Sequence, residues 1–454
     1  MRLKHFYLIL SGMLICVLYI LYLLLGSTPA QAILKYMVIN AAVFIIISIT
    51  YFQLKTHPLS PFFPGLIIIF SFLFGLTLLW SQPDQSDDIY RYLWDGKLQY
   101  HHISPYQYAP NDPLLTLYHS PQLPRLVNFP HLKTIYPPVA QLFFRLSFTL
   151  FGESSAGMKF LFLLVLVGCN LLFYLILKHR GGDIRLLLLF AWNPLVVMET
   201  TINGHLDILL VFFVLLFLYF FYKQRLVWSG TALGLSILTK LIPMILVPLV
   251  FLYILKKKEF TTKKMKGIEI IKFFGPLLVT MAGFYLLYFD SLQNLFFSAL
   301  TYSTRWFFNN PLFTVLLEIV RDNRIAHIIS FSLFILIYLV ILVKKLPLEQ
   351  QIFYTIFAFI FMNPTIHPWY LILLLSMLCI YHRHWVILWS GLIVVAYMVV
   401  YQYKLTGVWH DSWIILTIEY LPLLVAIGWE YWHHGSNGNH GNYGSNGIQI
   451  PSLS

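Results

Sequence analysis

Charge is scarce in this chain. Only 11% of its 454 residues are Asp, Glu, Lys or Arg, against roughly 25% in ordinary globular proteins. A soluble enzyme and a disordered chain both need more charge than that. Cysteine is almost absent: Cys16, Cys169 and Cys379 are the only three. All lie inside apolar runs without disulfide or metal-ligand spacing, which excludes a disulfide-stapled scaffold and leaves them as packing residues. Acidic residues number 18 against 30 basic ones. Apolar residues are abundant, at 59% hydrophobic and 18% aromatic. They form runs near or above the roughly 18–20 residues that cross a bilayer, from end to end. This is the composition of a polytopic all-α integral membrane protein.

A net charge of +12 would mark a nucleic-acid binder in a soluble protein. Here the basic residues stand in short loops between apolar runs, as membrane orientation requires, and no nucleic-acid partner is expected. The first run, Phe6 to Leu25, precedes Ala30-Gln31-Ala32, which resembles a signal-peptidase site. The run is longer than a signal core of roughly 7–15 residues, so a retained span is expected. Spans over Ile33–Phe52 and Pro64–Trp80 follow. Lys178-His179-Arg180, Lys223 to Arg225, Lys256-Lys257-Lys258 through Lys266, Lys344-Lys345 and His382-Arg383-His384 are assigned to the cytoplasm. The opposite side then receives the Ser81–Pro137 loop, Asn203-Gly204-His205, Asp290 to Asn310, Asn363 to His367 and Tyr403 to Ser412.

The same count gives about 13–14 spans with both ends cytoplasmic. Four regions follow: N-terminal spans (1–80), an extracytoplasmic loop with interfacial helices (81–157), a transmembrane bundle (158–432) and a disordered tail (433–454). Val139–Phe151 is too short to cross and reads as an interfacial helix. Leu226 to Leu255 must go out and back, as two short helices or a re-entrant hairpin turning near Lys240. The Gly435–Gly447 stretch of the tail, rich in Asn, Gly, Ser and His, is unable to build a core.

Because acids are rare, their placement is informative. Asp84, Asp87, Asp88, Asp95 and Asp112 share the long outer loop, and Asp207, Asp290 and Asp411 map to the same side. Adjacent Asp87 and Asp88 are suited to general-base work, since near carboxylates raise one another's pKa. In a helix, Asp88, Arg91 and Asp95 share a face, with Tyr92 alongside. The structural alternative has Asp87 capping that helix and Asp88 pairing with Arg91. His101, His102 and His131 lack metal-site spacing. Trp80, Trp94, Trp369 and Trp409 read as interface-belt residues. Lys240 and Arg305 fall on the outer side against the positive-inside trend, so each needs a partner: a lipid-linked phosphate or a local Asp.

The run Ser86-Asp87-Asp88-Ile89-Tyr90-Arg91-Tyr92-Leu93-Trp94-Asp95-Gly96 resembles the first extracytoplasmic loop of GT-C glycosyltransferases. Ser104-Pro105-Tyr106 and Thr134-Ile135-Tyr136-Pro137-Pro138 with Gln141 extend the resemblance. It is strongest to bacterial polyprenol-phosphate-mannose-dependent α-mannosyltransferases. Asn203-Gly204-His205-Leu206-Asp207, Thr239-Lys240-Leu241-Ile242-Pro243 and Asn363-Pro364-Thr365-Ile366-His367-Pro368-Trp369-Tyr370 are similar to weaker motifs of the same superfamily.

The resemblance implies a metal-independent, inverting transferase without cofactor, using a polyprenyl-phosphate sugar, with mannose favoured. Asp88, or failing that Asp87, is the expected base. Arg91, Lys240 and Arg305 are candidates for the phosphate, and His205, Asp207, His367 and Tyr370 for the sugar. Tyr92, Asp95 and Tyr136 complete the substrate-binding set. The expected acceptor is a glycan, glycolipid or protein. The expected location is a bacterial cytoplasmic membrane, with the site facing the periplasm or exterior. A lipid-linked glycan flippase or a non-catalytic assembly subunit of the same fold is the alternative.

Overall fold

The computed structural model describes residues 2–55, 61–256, 262–289 and 292–436. Asp290, the residue 257–261 part of the basic run, most of the tail and the side chain of Arg305 lie outside the described part. Among the described residues the chain is helical and forms no strand. Its single β contact is an isolated parallel bridge between Phe308 and Thr365.

Three helices open the chain: α1 (Arg2–Leu24), α2 (Pro29–Lys55) and α3 (Phe63–Leu78). The Ala30-Gln31-Ala32 stretch lies in the first turn of α2, with Ala32 buried. The polar segment supplies α4 (Asp88–Tyr100) and α5 (Pro138–Phe151). Then come α6 (Ser155–Arg180), α7 (Leu186–Ala191), α8 (Pro194–Met198), α9 (Asp207–Tyr222), α10 (Leu226–Ile237) and α11 (Val247–Lys256). The remainder is α12 (Lys263–Leu286), α13 (Leu292–Arg305), α14 (Pro311–Val320), α15 (Asn323–Val343) and α16 (Leu348–Met362). It ends with α17 (Leu371–Ser376), α18 (His384–Leu392), α19 (Tyr397–Thr406) and α20 (Trp413–Ser436).

Local chemistry explains the boundaries. The Ser154 hydroxyl accepts from Gly157 N–H to start α6, which stops at Gly181 in left-handed conformation (φ 66°). Asn310 and Asp322 cap α14 and α15 in the same way. Pro138 stands at the first turn of α5, where its missing N–H costs nothing.

Among the described residues, seven helical stretches are long and apolar enough to cross a bilayer. The sequence count of about 13–14 also takes in shorter apolar helices, of which eight are present among the described residues. Prolines break several of them, such as Pro194, Pro243 and Pro368. Between Leu226 and Lys256 the chain forms two short helices joined through Lys240 and a 3-10 turn at Ile242–Leu246. Large apolar side chains such as Ile271, Leu278 and Val279 of α12 and Phe331 of α15 are exposed. A surface of this kind is stable in lipid and not in water.

Contacts sort the loops into two ends. At one end Arg180 pairs with Glu349 (2.7 Å), Arg383 with Glu430 (3.1 Å), and Arg185 donates to the Lys55 carbonyl. At the other, Lys404 donates to the Asp84 carbonyl, Phe308 bridges to Thr365, and Asn309 N–H donates to Asp411 (2.9 Å). The helices α2, α6, α9 and α20 run between these two groups.

Close packing depends on missing side chains. A Cβ on Gly230 of α10 would overlap the Phe273 carbonyl oxygen of α12, a backbone atom that has no means of rotating away. Gly230→Ala is therefore expected to destabilise the fold by about 1–3 kcal/mol. The readout is the thermal unfolding midpoint in detergent. Gly267→Ala, which meets open space on α12, serves as the control.

Candidate active site

The site is built on a platform of α4 against α5. Gly96 lets the two backbones approach, because any side chain there would strike the Phe144 carbonyl. Tyr92 stacks on Phe144 (4.5 Å between centroids, 7°) and meets Tyr136 edge-on at 5.0 Å. Beneath them runs a buried polar network. Arg91 pairs with Asp95 (3.3 Å) and donates to the Leu132 carbonyl. Gln141 donates to Asp95 (3.0 Å) and to the Thr134 hydroxyl (2.8 Å). Gln99 donates to Gln141 (2.8 Å) and accepts from the Tyr288 hydroxyl (2.7 Å). Tyr106 O–H closes onto the Tyr136 carbonyl (2.7 Å). Arg91 and Asp95 are 6% and 1% exposed, so both are committed to holding the loop on its helix.

Asp87 and Asp88 stand at the N-terminal end of α4, at the edge of this platform. Neither leg of the structural alternative is present: Asp87 makes no capping hydrogen bond, and Arg91 pairs with Asp95. Desolvation in the mouth of the site, then the Asp88 charge, push the Asp87 carboxyl above its ordinary range. Asp88 is half-buried, and one carboxylate oxygen accepts from Asn128 Nδ2 at 2.7 Å. Asn128 comes from the loop, 40 residues away in sequence.

Tyr92 joins this edge to the rest of the site. Its hydroxyl feels both the Asp88 and Asp207 charges, and it bonds to Tyr136 and to the backbone of Leu206. Asp207, at the start of α9, holds Lys240 through both oxygens (2.9 and 3.1 Å). The Lys240 ammonium lies 4.5 Å above the Tyr370 ring. His205 and His367 both stack on Trp369, at 3.7 and 4.2 Å. Burial, then the neighbouring His205 and Lys240, hold the His367 imidazole well below its ordinary pKa. It is neutral at pH 7.

Asp88, Tyr92, Tyr136, His205, Asp207, Lys240, His367 and Tyr370 are thus brought together. Trp94 and Trp369 are buried, while Trp80 and Trp409 are exposed as belt residues would be. Trp94 and Trp369 depart from the belt reading because they pack inside the loop and against the two histidines. His101, His102 and His131 do not converge, and no three His, Cys, Asp or Glu side chains gather as metal ligands among the described residues.

Two site residues had no assignment from the sequence. Asn128 carries no local signal. Glu199 does, as a lone acid inside an apolar run, where an ionisable side chain is costly enough to suggest function. It is fully buried among Tyr36, Tyr397, Asn203 and His205.

Residues 20–256 match the family described as alpha-(1->6)-mannopyranosyltransferase, N-terminal domain. The chain belongs to the alpha-(1->6)-mannopyranosyltransferase family. It is a membrane glycosyltransferase of the mannosyltransferase class, with a sugar donor and an acceptor as its substrates. The matched segment contains Asp88, Asn128, Glu199, His205, Asp207 and Lys240, while His367 and Tyr370 lie beyond it. Comparisons with curated proteins and with solved structures return no match.

Asn128→Ala in this mannosyltransferase is expected to lower kcat about tenfold, the scale of one charge-assisted hydrogen bond, with little change in donor KM. Single-turnover transfer by the folded variant would reveal it; wild-type turnover would show that Asn128 only ties down the loop.

Proposed function

We propose that this protein transfers mannose from a polyprenyl-phosphate donor to an acceptor hydroxyl, with inversion, on the extracytoplasmic side of a bacterial cytoplasmic membrane. The family description suggests an α-(1->6) link, which requires a primary hydroxyl as nucleophile. A β-linked donor attacked in line gives the α-glycoside. Asp88 removes the proton from the attacking hydroxyl. The C–O bond to the phosphate breaks, and its electron pair leaves with the polyprenyl phosphate.

The observation that carries this reading is the held carboxylate. Asn128 fixes one oxygen of Asp88 at 2.7 Å, which orients the other for proton transfer. Lys240, held in place by Asp207, is the cation suited to the departing phosphate. The second phosphate candidate is Arg305. Arg91, already paired with Asp95, is assigned to supporting the platform. Tyr136, half-buried at the edge of the platform, offers an aromatic surface that a pyranose ring packs against. A lipid donor keeps its tail in the bilayer and its phosphate at the boundary, which suits a site at one end of a helical bundle.

The test is transfer by purified protein in nanodiscs, from radiolabelled polyprenyl-phosphate-mannose to a panel of α-mannoside and glycolipid acceptors, with and without EDTA. Label in an acceptor, resistant to EDTA and lost in Asp88→Asn, supports the reading. Label that stays on a donor the protein does not bind would sink it.

A further inference from the structure

Glu199 sits where an uncompensated charge would be most expensive. It is fully buried and follows α8 directly, opening the π turn Glu199–Asn203. That turn ends at Gly204, whose φ of 70° and closeness to Ile89 (2.6 Å from an added Cβ) leave room only for glycine. The chain therefore folds back so that His205 meets the carboxylate it has just passed. Oε1 of Glu199 accepts from the Tyr36 and Tyr397 hydroxyls (2.5 and 2.7 Å). Oε2 accepts from Asn203 Nδ2 (2.9 Å) and lies 2.8 Å from His205 Nδ1. Four donors fill the acceptor capacity of an ionised carboxylate.

This arrangement decides where the His205 proton is. Only Nδ1–H satisfies the bond to Glu199, so in the neutral ring Nε2 is a bare acceptor. That nitrogen is fully buried and has no partner among the described residues. Buried polar atoms are nearly always paired, so an unpaired acceptor beside Trp369, His367, Asp207 and Lys240 calls for a donor from outside the chain. A phosphate oxygen offers no hydrogen. A sugar hydroxyl does.

Resting on the proposed function, we propose that His205 Nε2 accepts a hydrogen bond from one hydroxyl of the transferred hexose, and that Glu199 is the positioning residue that holds His205 in the acceptor tautomer. Together they make the site selective for a sugar bearing that hydroxyl. A site built to bond a hydroxyl rejects the analogue lacking it, because its own polar group is then left unpaired.

Two measurements test this. The first is the 15N spectrum of histidine-labelled protein in nanodiscs at pH 7, with His205 assigned by its loss in His205→Asn. Wild type should show Nε2 unprotonated. In Glu199→Gln, the amide N–H₂ replaces an acceptor opposite Nδ1, and the proton should move to Nε2. The Gln carbonyl still accepts from both tyrosines, and Asn203 can turn its unpaired amide oxygen toward the Gln N–H₂, which keeps the fold. The second is transfer from polyprenyl-phosphate-mannose and its 2-, 3-, 4- and 6-deoxy analogues. Wild type should reject one analogue by roughly tenfold or more in kcat/KM. His205→Asn keeps an N–H for Glu199 but lacks Nε2, so that preference should collapse while the other three ratios stay unchanged.

A protonated Nε2 in wild type, or the wild-type deoxy pattern retained in His205→Asn, overturns the assignment. If wild type transfers no hexose from this donor, the proposed function fails on its own account. The Nε2 resonance then decides separately: movement on adding the donor supports the inference, and no movement overturns it.

Discussion

Asp88→Asn should lower kcat by about 10²–10⁴-fold, the usual contribution of a positioned general base, while the lipid donor still binds. The substitution preserves shape and keeps the Asn128 contact possible, since an amide oxygen accepts from Nδ2 as a carboxylate oxygen does. What it removes is the ability to take a proton. Asp87→Asn should cost less than about tenfold, because Asp87 makes no capping bond and serves through its charge alone. Initial rates from polyprenyl-phosphate-mannose, beside donor binding measured separately, distinguish the two. A large loss in Asp87→Asn with near-normal Asp88→Asn would exchange their roles, and near-normal rates in both would remove the loop carboxylates from the chemistry.

Asp95→Ala should be the most destabilising single change in the site, by about 3–5 kcal/mol, because it strands a buried arginine. Arg91 is 6% exposed, and Asp95 is its carboxylate partner at 3.3 Å. The loss spreads further, since Asp95 also accepts from Gln141 (3.0 Å), and Gln141 ties α5 to Thr134 and Gln99. The result would be a lower unfolding midpoint in detergent and an outer loop more open to proteolysis. Arg91→Met together with Asp95→Leu should recover much of the stability, because an apolar pair of similar volume needs no compensation. An Asp95→Ala protein as stable as wild type would mean that Arg91 finds solvent or another acceptor, and that the platform is less rigid than its contacts imply.

Several features were legible in the sequence for local reasons. Apolar runs identified helices without reference to their neighbours, and basic loops sorted their ends. The α4 helix was readable because Asp88, Arg91 and Asp95 recur at helical spacing, though which pair would bond was not. Arg91 had two carboxylates within reach along one face. Only the arrival of Gln141 and Thr134 at Asp95 made the pairing with Asp95 the stable one. Lys240 was recognised as needing a partner, and both a phosphate and a local Asp fitted. The Asp207 carboxylate, 33 residues earlier, fills that place. Proline breaks and a π turn, which the apolar pattern does not announce, divide several of these runs into short helices around polar groups.

The amino-acid sequence by itself determined that this chain is an all-α membrane protein with five of its 18 acids in one long loop. Burial of apolar residues and avoidance of charge in lipid act residue by residue, so local pattern is sufficient for both. The tertiary structure alone decided which polar residues share the interior. Tyr36 and Tyr397 reach Glu199 across 163 and 198 residues. No periodicity records a separation of that kind. Such a carboxylate is tolerable only once every donor around it is in place, a condition set by the packing of three distant segments.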